Sequence, residues 1–282
     1  MSILKQYFLQ PVMAFAENGF ATTKDVFTPN KVISKAKMST VVIVQLTILF
    51  TLWFMYGSQL LPNPYDILLS MWKLLQAGKV IGELLTTLTL IIQSMAITIV
   101  VSFAISYATI LPFFRPLGFI VSKLRFLTLV GLQFAFTIWN HGDMHNLKIS
   151  LFVFSVSVFF IDSMITIINS IDKERFIHAR TIQLSEWRTA WEVIIMGTFP
   201  KVLDAMRSNF AMAWMMLTMI EVISKSDGGI GVMMADQNKY LWLDAVFAMQ
   251  LMILILAMGQ DALFGLLKKR TCGWAFNNIE KR

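Results

Sequence analysis

The chain has little of what stabilises a soluble or secreted globular protein. It contains one cysteine, Cys272, so no intramolecular disulfide can form. Only 15% of its 282 residues are charged, against about 25% in average soluble chains, and 56% are hydrophobic. A single soluble core does not need this much apolar sequence, whereas several bilayer-spanning helices do.

Motifs for catalysis and nucleotide binding are also missing from the sequence. No Walker-type phosphate loop occurs, so we expect no cofactor on this chain, and any ATP would have to be bound by another chain. Ser224 and Ser226 have neither a histidine nearby nor a Gly-x-Ser-x-Gly turn. The first 37 residues lack a continuous apolar segment and a small-residue cleavage site, so we expect no removable signal peptide. No internal repeat of the kind found in many secondary transporters is visible.

Six apolar runs are candidates for membrane-spanning helices, each of which needs about 20 mostly apolar residues. The third is the weakest, because Trp139, Asn140 and His141 interrupt it early, and we expect it to be short, tilted or broken. No strand pattern competes with helix. The six runs are Thr40–Leu61, Leu84–Leu111, Phe126–Ile138, Ile149–Ile168, Val202–Ile223 and Leu241–Leu267.

The net charge of +7 is explained by membrane topology. If the N-terminus is inside, all but five of the 24 lysines and arginines fall on inner segments. The outer loops then hold only Lys73, Lys79, Lys148, Lys225 and Lys239. This bias follows the positive-inside rule and predicts that both termini are cytoplasmic. Nucleic-acid binding is not needed to explain the charge.

The runs divide the chain into a cytoplasmic N-terminal segment (1–38), a transmembrane domain (39–270) and a cytoplasmic tail (271–282). Within the first segment, Ile3–Phe20 is either an interfacial helix or a partly ordered tail. After the first run, Tyr65–Ala77 has apolar residues at helical spacing, with Asp66 as a candidate N-cap and Gly78 as a candidate C-cap. We predict a short helix on the outer surface.

The segment His141-Gly-Asp-Met-His145 is a candidate metal site, since two histidines four residues apart can share one face of a helix and bind the same ion. Gly142 weakens that helix, Asp143 is the one further strong ligand nearby, and His178 lies across the predicted membrane. A polar loop, solvated or lining a pathway, is the simpler interpretation, and we expect no metal site.

Charged residues inside spans are costly to bury in lipid and often mark function. Asp162 lies well inside the fourth run, where it either faces a partner helix or a water-filled path, or reaches the inner surface. Glu192, Asp204, Glu221 and Asp261 lie close enough to an interface to be solvated.

The long segment 172–200, between the fourth and fifth runs, carries the strongest functional signal. It predicts two short helices, Lys173–Ile182 and Glu186–Gly197, the second with Ser185 as its N-cap. An amphipathic helix of this kind either rests on lipid or inserts into a groove on a soluble partner. Its apolar face holds Trp187, Trp191, Ile194 and Ile195, and its polar face holds Arg188 and Glu192.

This order of features resembles the permease subunits of bacterial ABC importers, particularly the nitrate/sulfonate/taurine type. Those permeases carry a cytoplasmic pattern like D-P-E-L-L-E-A-A-R-x-x-G-A-S-x-W, then a variable stretch and L-P. Downstream, Trp214 and Glu221 followed by residues 226–231 resemble the family's A-W…A-E…S-G-L-G. Upstream, residues 61–65 and 77–79 resemble its L-P-x-P and S-G-x-L stretches. The residues that match the cytoplasmic pattern are Asp172, Glu174, Ala179, Arg180, Ser185, Trp187 and Pro200.

Departures from the family pattern mark a divergent member. The motif's Glu and first Ala are Ile177 and His178 in this chain. The family's glycine before the second helix is Gln183, which must form the turn with a Cβ at some conformational cost. Near the outer loop, only Gly142 and Lys148 match the family's F-G-x-G-x-x-x-K.

The resemblance implies an all-α integral membrane protein of the bacterial inner membrane, with the type I ABC importer permease fold. It implies pairing with a second permease copy, two cytoplasmic ATPase subunits that bind ATP, and an extracytoplasmic binding protein that delivers a small anion or small organic molecule. ATPase coupling would fall to Ala179, Arg180, Gln183, Ser185, Trp187, Arg188 and Trp191. Candidates for the translocation path are Gln133, Thr137, Asn140, Asp162, Asn209, Trp214 and Glu221.

Two readings of other classes stay open at this point. One is a channel or secondary carrier that works alone, against which the long basic loop and the lack of repeats count. The other is a membrane-embedded enzyme with a metal at His141 and His145, which lacks a catalytic constellation.

Overall fold

The computed structural model describes Thr28, residues 35–55 and residues 62–272, which form helices and turns with no strand among them. The predicted all-α class is therefore confirmed. A π-helical segment, Ala190–Met196, joins the helices Glu186–Thr189 and Gly197–Ile223. The helices are α1 Lys35–Met55, α2 Pro64–Gln76, α3 Lys79–Ala108, α4 Arg115–Leu124, α5 Leu129–Trp139, α6 Met144–Asn169, α7 Lys173–Thr181, α8 Glu186–Thr189, α9 Gly197–Ile223, α10 Ile230–Lys239 and α11 Leu243–Thr271.

The chain divides into two compact units, Met1–Pro64 and Tyr65–Arg282. In the first, α1 carries most of the first apolar run. The hydroxyls of Thr47 and Thr51 donate to backbone carbonyls one turn back, at 2.8 and 2.7 Å, so these polar groups are satisfied within the helix. Residues 56–61 of that run and the segment Ile3–Phe20 lie outside the described residues.

Four described helices, α1, α3, α6 and α11, are long and apolar enough to cross a membrane. The segment Pro112–Leu124 and α5 add a fifth span only as a bent pair, because the chain turns by 118° between them. Thr128 is extended at this break, and the apolar stretch after it forms only the short helix α5. The prediction of a short or broken third span is confirmed, and the chain is a multi-pass membrane protein.

Helix α9 contains the fifth predicted run but is less apolar than those four helices, because it carries Asp204, Arg207, Asn209 and Glu221. It packs most extensively against α6 and also contacts α10 and α11. Its buried face lies in the main core, with Phe210 against aromatic rings of α6 and α11. Asn209 and Glu221 lie on this buried face, whereas Asp204 and Arg207 are exposed and form ion pairs with α11.

The close packing of α3 on α6 depends on small side chains. Ser94, Thr98, Ser102 and Ser106 recur every fourth residue of α3 and are fully buried. Small residues at such spacing let helix backbones approach closely in membrane proteins, where no hydrophobic force drives the helices together. The tight pair α3 and α6 forms the centre against which α9 also packs.

The predicted outer helix forms as α2, and Gly78 ends it with a φ of 72°. The assignment of Asp66 as its N-cap is wrong, because the helix begins at Pro64 and Asp66 lies within its first turn. Proline is favoured at a helix start, since its missing N–H costs nothing there. Ser70 of α2 donates a hydrogen bond to Asp244, at the start of α11.

Candidate functional site

The segment 172–200 folds into two helices joined by a tight turn at Gln183. The N–H of Gln183 donates to the Arg180 carbonyl at 2.9 Å, and the N–H of Leu184 donates to the Ala179 carbonyl at 3.1 Å. This pair of bonds is a Schellman termination, which glycine usually completes. Gln183 has a φ of 56°, so it adopts the left-handed conformation despite its Cβ, as the sequence predicts.

Ser185 begins the second helix, because its Oγ accepts a hydrogen bond from the Arg188 N–H at 3.4 Å. The predicted N-cap is confirmed. The predicted end of this helix at Gly197 is wrong, since the chain stays helical through the π segment into α9. Pro200 has no N–H for the Met196 carbonyl, and its ring crowds that carbonyl. The wider π turns directly before it accommodate this misfit without ending the helix.

The two helices present different chemistry on their two sides. Trp187 and Trp191 are 75% and 53% exposed, one turn apart, and face away from α7. Ala179 is buried, and Arg180 pairs with Glu186 across the turn at 3.9 Å. The other side of α8 and the facing side of α7 enclose a cleft of about 650 Å³. Its charged lining residues are Glu174, Arg175, His178, Arg188 and Glu192.

At the opposite end of the bundle, Glu221 lies at the centre of a buried polar cluster. Its side chain has no solvent exposure. One carboxylate oxygen accepts from the Thr87 hydroxyl and the other from the Gly231 N–H, both at 2.7 Å. Thr87 in turn accepts from the Ile230 N–H at 2.9 Å. These bonds join α3 and α9 to the first two residues of α10.

Glu83 and Lys148 complete this cluster. The Glu83 carboxylate accepts from the Gly229 N–H at 2.5 Å, and the Lys148 ammonium donates to the Gly228 carbonyl at 2.8 Å. Lys148 is only 1% exposed, and Asp227 lies 3.7 Å from its ammonium group. A buried charge is tolerated only where it is paired and hydrogen-bonded. The cluster therefore fixes the turn at residues 227–231 to three helices.

Sequence reasoning missed Glu83 and Thr87 as members of this cluster. A carboxylate at the outer end of the second apolar run was the available signal, because an acidic residue beside a span usually has a partner. Glu221 was predicted as a pathway residue, but the structure surrounds it with structural partners.

The seven predicted pathway residues do not meet in one place. Asp162 pairs with Arg125 at 2.8 Å, and the Trp214 indole donates to Gln260 at 2.7 Å. The Asn209 amide donates to the Ser163 hydroxyl at 3.1 Å. On α5, Gln133 donates to the Ile223 carbonyl at 3.4 Å, and the Thr137 hydroxyl donates to the Gln133 carbonyl at 2.8 Å.

Asn140 is the one predicted pathway residue that lines a described cavity. This cavity of about 490 Å³ lies between α3, α4, α5 and α6 and is mostly apolar. The Asn140 amide donates to the Ser150 hydroxyl at 2.9 Å. Ser157, deeper in the cavity, has a buried hydroxyl with no hydrogen-bond partner within the described part of the chain.

The histidine pair does not share a helix face. His141 lies in a turn with a φ of 52°, and Gly142 follows with a φ of 82°. His145 lies in the first turn of α6, where its ring contacts Asp227 at 3.3 Å. No group of three histidine, cysteine or acidic residues among residues 62–272 could hold a metal ion.

Comparison with known proteins identifies the fold. No protein-family model matches the chain, and no curated protein sequence matches it. A crystal structure of an amino acid ABC transporter with histidines matches with a TM-score of 0.60 and 15% sequence identity, covering 71% of this chain and 98% of that chain. At this identity the match speaks for the fold alone. The chain has an all-α fold that it shares with a chain of that ABC transporter structure.

Proposed function

We propose that this chain is the permease subunit of an ATP-driven importer in a bacterial inner membrane, with both of its termini in the cytoplasm. The observation that carries the proposal is the exposed pair Trp187 and Trp191 on a helix that continues directly into the central helix α9. Exposed tryptophans at an interface are typical anchor residues for a partner protein. The shared fold with an ABC transporter chain supports the same conclusion.

The partner at this surface is a separate cytoplasmic ATPase that binds the nucleotide. The helix that begins at Ser185 docks into a groove of the ATPase, as amphipathic helices do in other complexes. Ala179 and Gln183 set the angle between α7 and α8, and Arg180 holds the turn through Glu186. Trp187, Arg188 and Trp191 supply the contact surface. Closure of the ATPase pair on ATP then moves this helix as a rigid body.

The assembled importer contains a second permease, most simply another copy of this chain, and an extracytoplasmic binding protein. The substrate is a small organic anion or zwitterion. The sequence resembles permeases for nitrate, sulfonates and taurine, and the structural neighbour is an amino acid transporter. Taurine and amino acids share a compact polar skeleton with an acidic group, which backbone and amide donors can bind without a basic residue.

The path for this substrate runs past Gln133, Thr137 and Asn140. These residues follow one another along α5 and the turn after it, with Asn140 at the cavity between α3 and α6. Asp162, Asn209, Trp214 and Glu221 line none of the described cavities, and we propose that their bonds hold the surrounding helices in position.

The first experiment is a mild-detergent pull-down of the tagged chain from its native membrane, with mass spectrometry of what accompanies it. We expect an ATP-binding subunit in the eluate. The recovered ATPase is then assayed with Trp187→Asp, which we expect to abolish its stimulation while membrane insertion persists. Trp72→Asp, on the exposed face of the outer helix α2, is the matched control.

Recovery of the intact chain alone would instead favour a channel or secondary carrier that needs no ATPase. Stimulation that survives Trp187→Asp would show that the coupling contact lies elsewhere. Equal loss with Trp72→Asp would point to a general effect of replacing an exposed tryptophan with aspartate, rather than to a lost coupling contact.

A further inference from the structure

A second large cavity, of about 880 Å³, lies where the membrane domain meets the segment 172–200. Two helices each present one face to it: α4 contributes Arg115, Phe119 and Ser122, and α7 contributes Lys173, Phe176 and Arg180. The residues after α3, the C-terminal end of α6, α8 and the π segment close the remaining sides. The cavity is distinct from the cleft between α7 and α8, because the two share no lining residue.

Basic groups dominate the charge of this cavity. Arg115, Lys173 and Arg180 line it, against the single acidic residue Glu186. Arg180 is paired with Glu186. Arg115 and Lys173 have no acidic partner within 4 Å in the part of the chain that the structure describes. Both are also the first residues of their helices, α4 and α7, where the helix dipole adds positive potential.

The other half of the cavity is apolar and continues onto the lipid-facing surface. Ile110, Phe119, Ile165, Ile168 and Phe176 form its apolar wall. Phe119 is 68% exposed, and the neighbouring Phe113 on the same inner rim is 85% exposed. Positive charge beside an apolar wall at a membrane boundary matches the chemistry of a lipid with an anionic headgroup.

We propose that this cavity binds the phosphate headgroup of an anionic phospholipid of the cytoplasmic leaflet. Arg115 and Lys173 contact the phosphate, and Asn169 and Ser122 are the neutral donors beside them. The acyl chains lie along Phe119 and the exposed side of α4. Because α4, α6, α7 and α8 all line the cavity, the bound lipid connects the segment 172–200 to the membrane helices. The proposal depends on the inward topology but not on an ATPase partner.

The test is lipid binding to the purified, delipidated full chain in detergent, followed by native mass spectrometry. The probes are dioleoyl phosphatidylglycerol, dioleoyl phosphatidylcholine with the same acyl chains, and glycerol 3-phosphate as the free headgroup. We expect retention of phosphatidylglycerol in preference to phosphatidylcholine. The double variant Arg115→Gln/Lys173→Gln should weaken phosphatidylglycerol binding by about tenfold or more, because it removes both charge-assisted contacts to the phosphate.

Two control variants separate this site from general electrostatics and from misfolding. Lys201→Gln/Arg270→Gln removes two exposed inner charges that do not line the cavity, and it should retain binding. Arg115→Lys/Lys173→Arg keeps both charges and should also retain binding. Equal loss with Lys201→Gln/Arg270→Gln, or no loss with Arg115→Gln/Lys173→Gln, would overturn the proposal. Glycerol 3-phosphate binding as tightly as the lipid would assign the cavity to a soluble phosphate instead.

Discussion

Thr87 and Glu221 meet at 2.7 Å inside the outer end of the bundle, although 134 residues separate them in sequence. The Thr87 hydroxyl donates to the carboxylate and accepts from the Ile230 N–H. One hydroxyl thus connects three helices of the chain: α3, α9 and the first residue of α10. A group with two such partners cannot be removed without leaving both unsatisfied.

Thr87→Val should therefore destabilise the protein. Valine keeps the shape but leaves one Glu221 carboxylate oxygen and the Ile230 N–H without their bonds to Thr87, at about 1–3 kcal/mol for each buried group. Thermal unfolding in detergent measures the change. Thr86→Val is the matched control, because Thr86 is exposed and bonds only to a carbonyl of its own helix. Equal unfolding temperatures of the two variants would contradict the structural role of the cluster.

Gly231 is required for space rather than for backbone freedom. A Cβ at this position would lie 2.6 Å from the Thr218 carbonyl oxygen and 2.8 Å from a Glu221 carboxylate oxygen. We expect Gly231→Ala to cost about 1–3 kcal/mol by overpacking. Gly82→Ala, in a helix with nothing within 4 Å, should instead be neutral or stabilising, since alanine favours helix by roughly 0.5–1 kcal/mol. Comparative thermal unfolding distinguishes the two outcomes.

Gln183 occupies a conformation in which glycine is more stable. Gln183→Gly should stabilise the turn by about 1 kcal/mol, because it removes the Cβ from the left-handed region. Gln183→Val should destabilise it, since a branched Cβ is worse there. Hydrogen exchange of the Leu184 amide, which bonds to the Ala179 carbonyl, reports on the turn directly. Faster exchange in the glycine variant would refute this account.

Arg125 and Asp162 should behave as a pair in a double-mutant cycle. Their side chains are partly exposed, so the interaction is modest, roughly 0.5–1 kcal/mol. Asp162→Arg alone places two positive charges together and should lower stability more than Asp162→Asn. Adding Arg125→Asp to Asp162→Arg should restore much of the loss. Additive effects of the two reversals would mean that the contact does not form in the membrane.

Some features of this fold follow from local sequence and others from contacts between distant residues. The helix ends at Gly78 and Ser185 and the turn at Gln183 were predictable, because each depends on a few neighbouring residues. The early polar interruption after Phe126–Ile138 likewise predicted a short span, and α5 is 11 residues long, whereas the bend before it was not visible in the sequence.

Other features could not be predicted from single segments. Glu83 bonds to Gly229 across 146 residues, so nothing near either residue announces the contact. The helix through Pro200 also defeated the sequence reasoning, because proline near a helix start and proline at a helix end look alike in sequence. Asp162 left two interpretations open until its partner Arg125 was located.

The uninterrupted helix from Glu186 to Ile223 has a mechanical consequence. At about 1.5 Å per residue it is roughly 57 Å long, more than the thickness of the hydrocarbon layer. Trp187 lies near one end of this helix and Glu221 near the other, so a rigid-body rotation of the helix moves both residues. The least regular part of the helix is the π segment before Pro200, close to the end that carries Trp187. A displacement of the Trp187 end that the π segment does not absorb must therefore reach the glycine-rich turn at residues 227–231, which Glu221 contacts at the opposite end of the bundle.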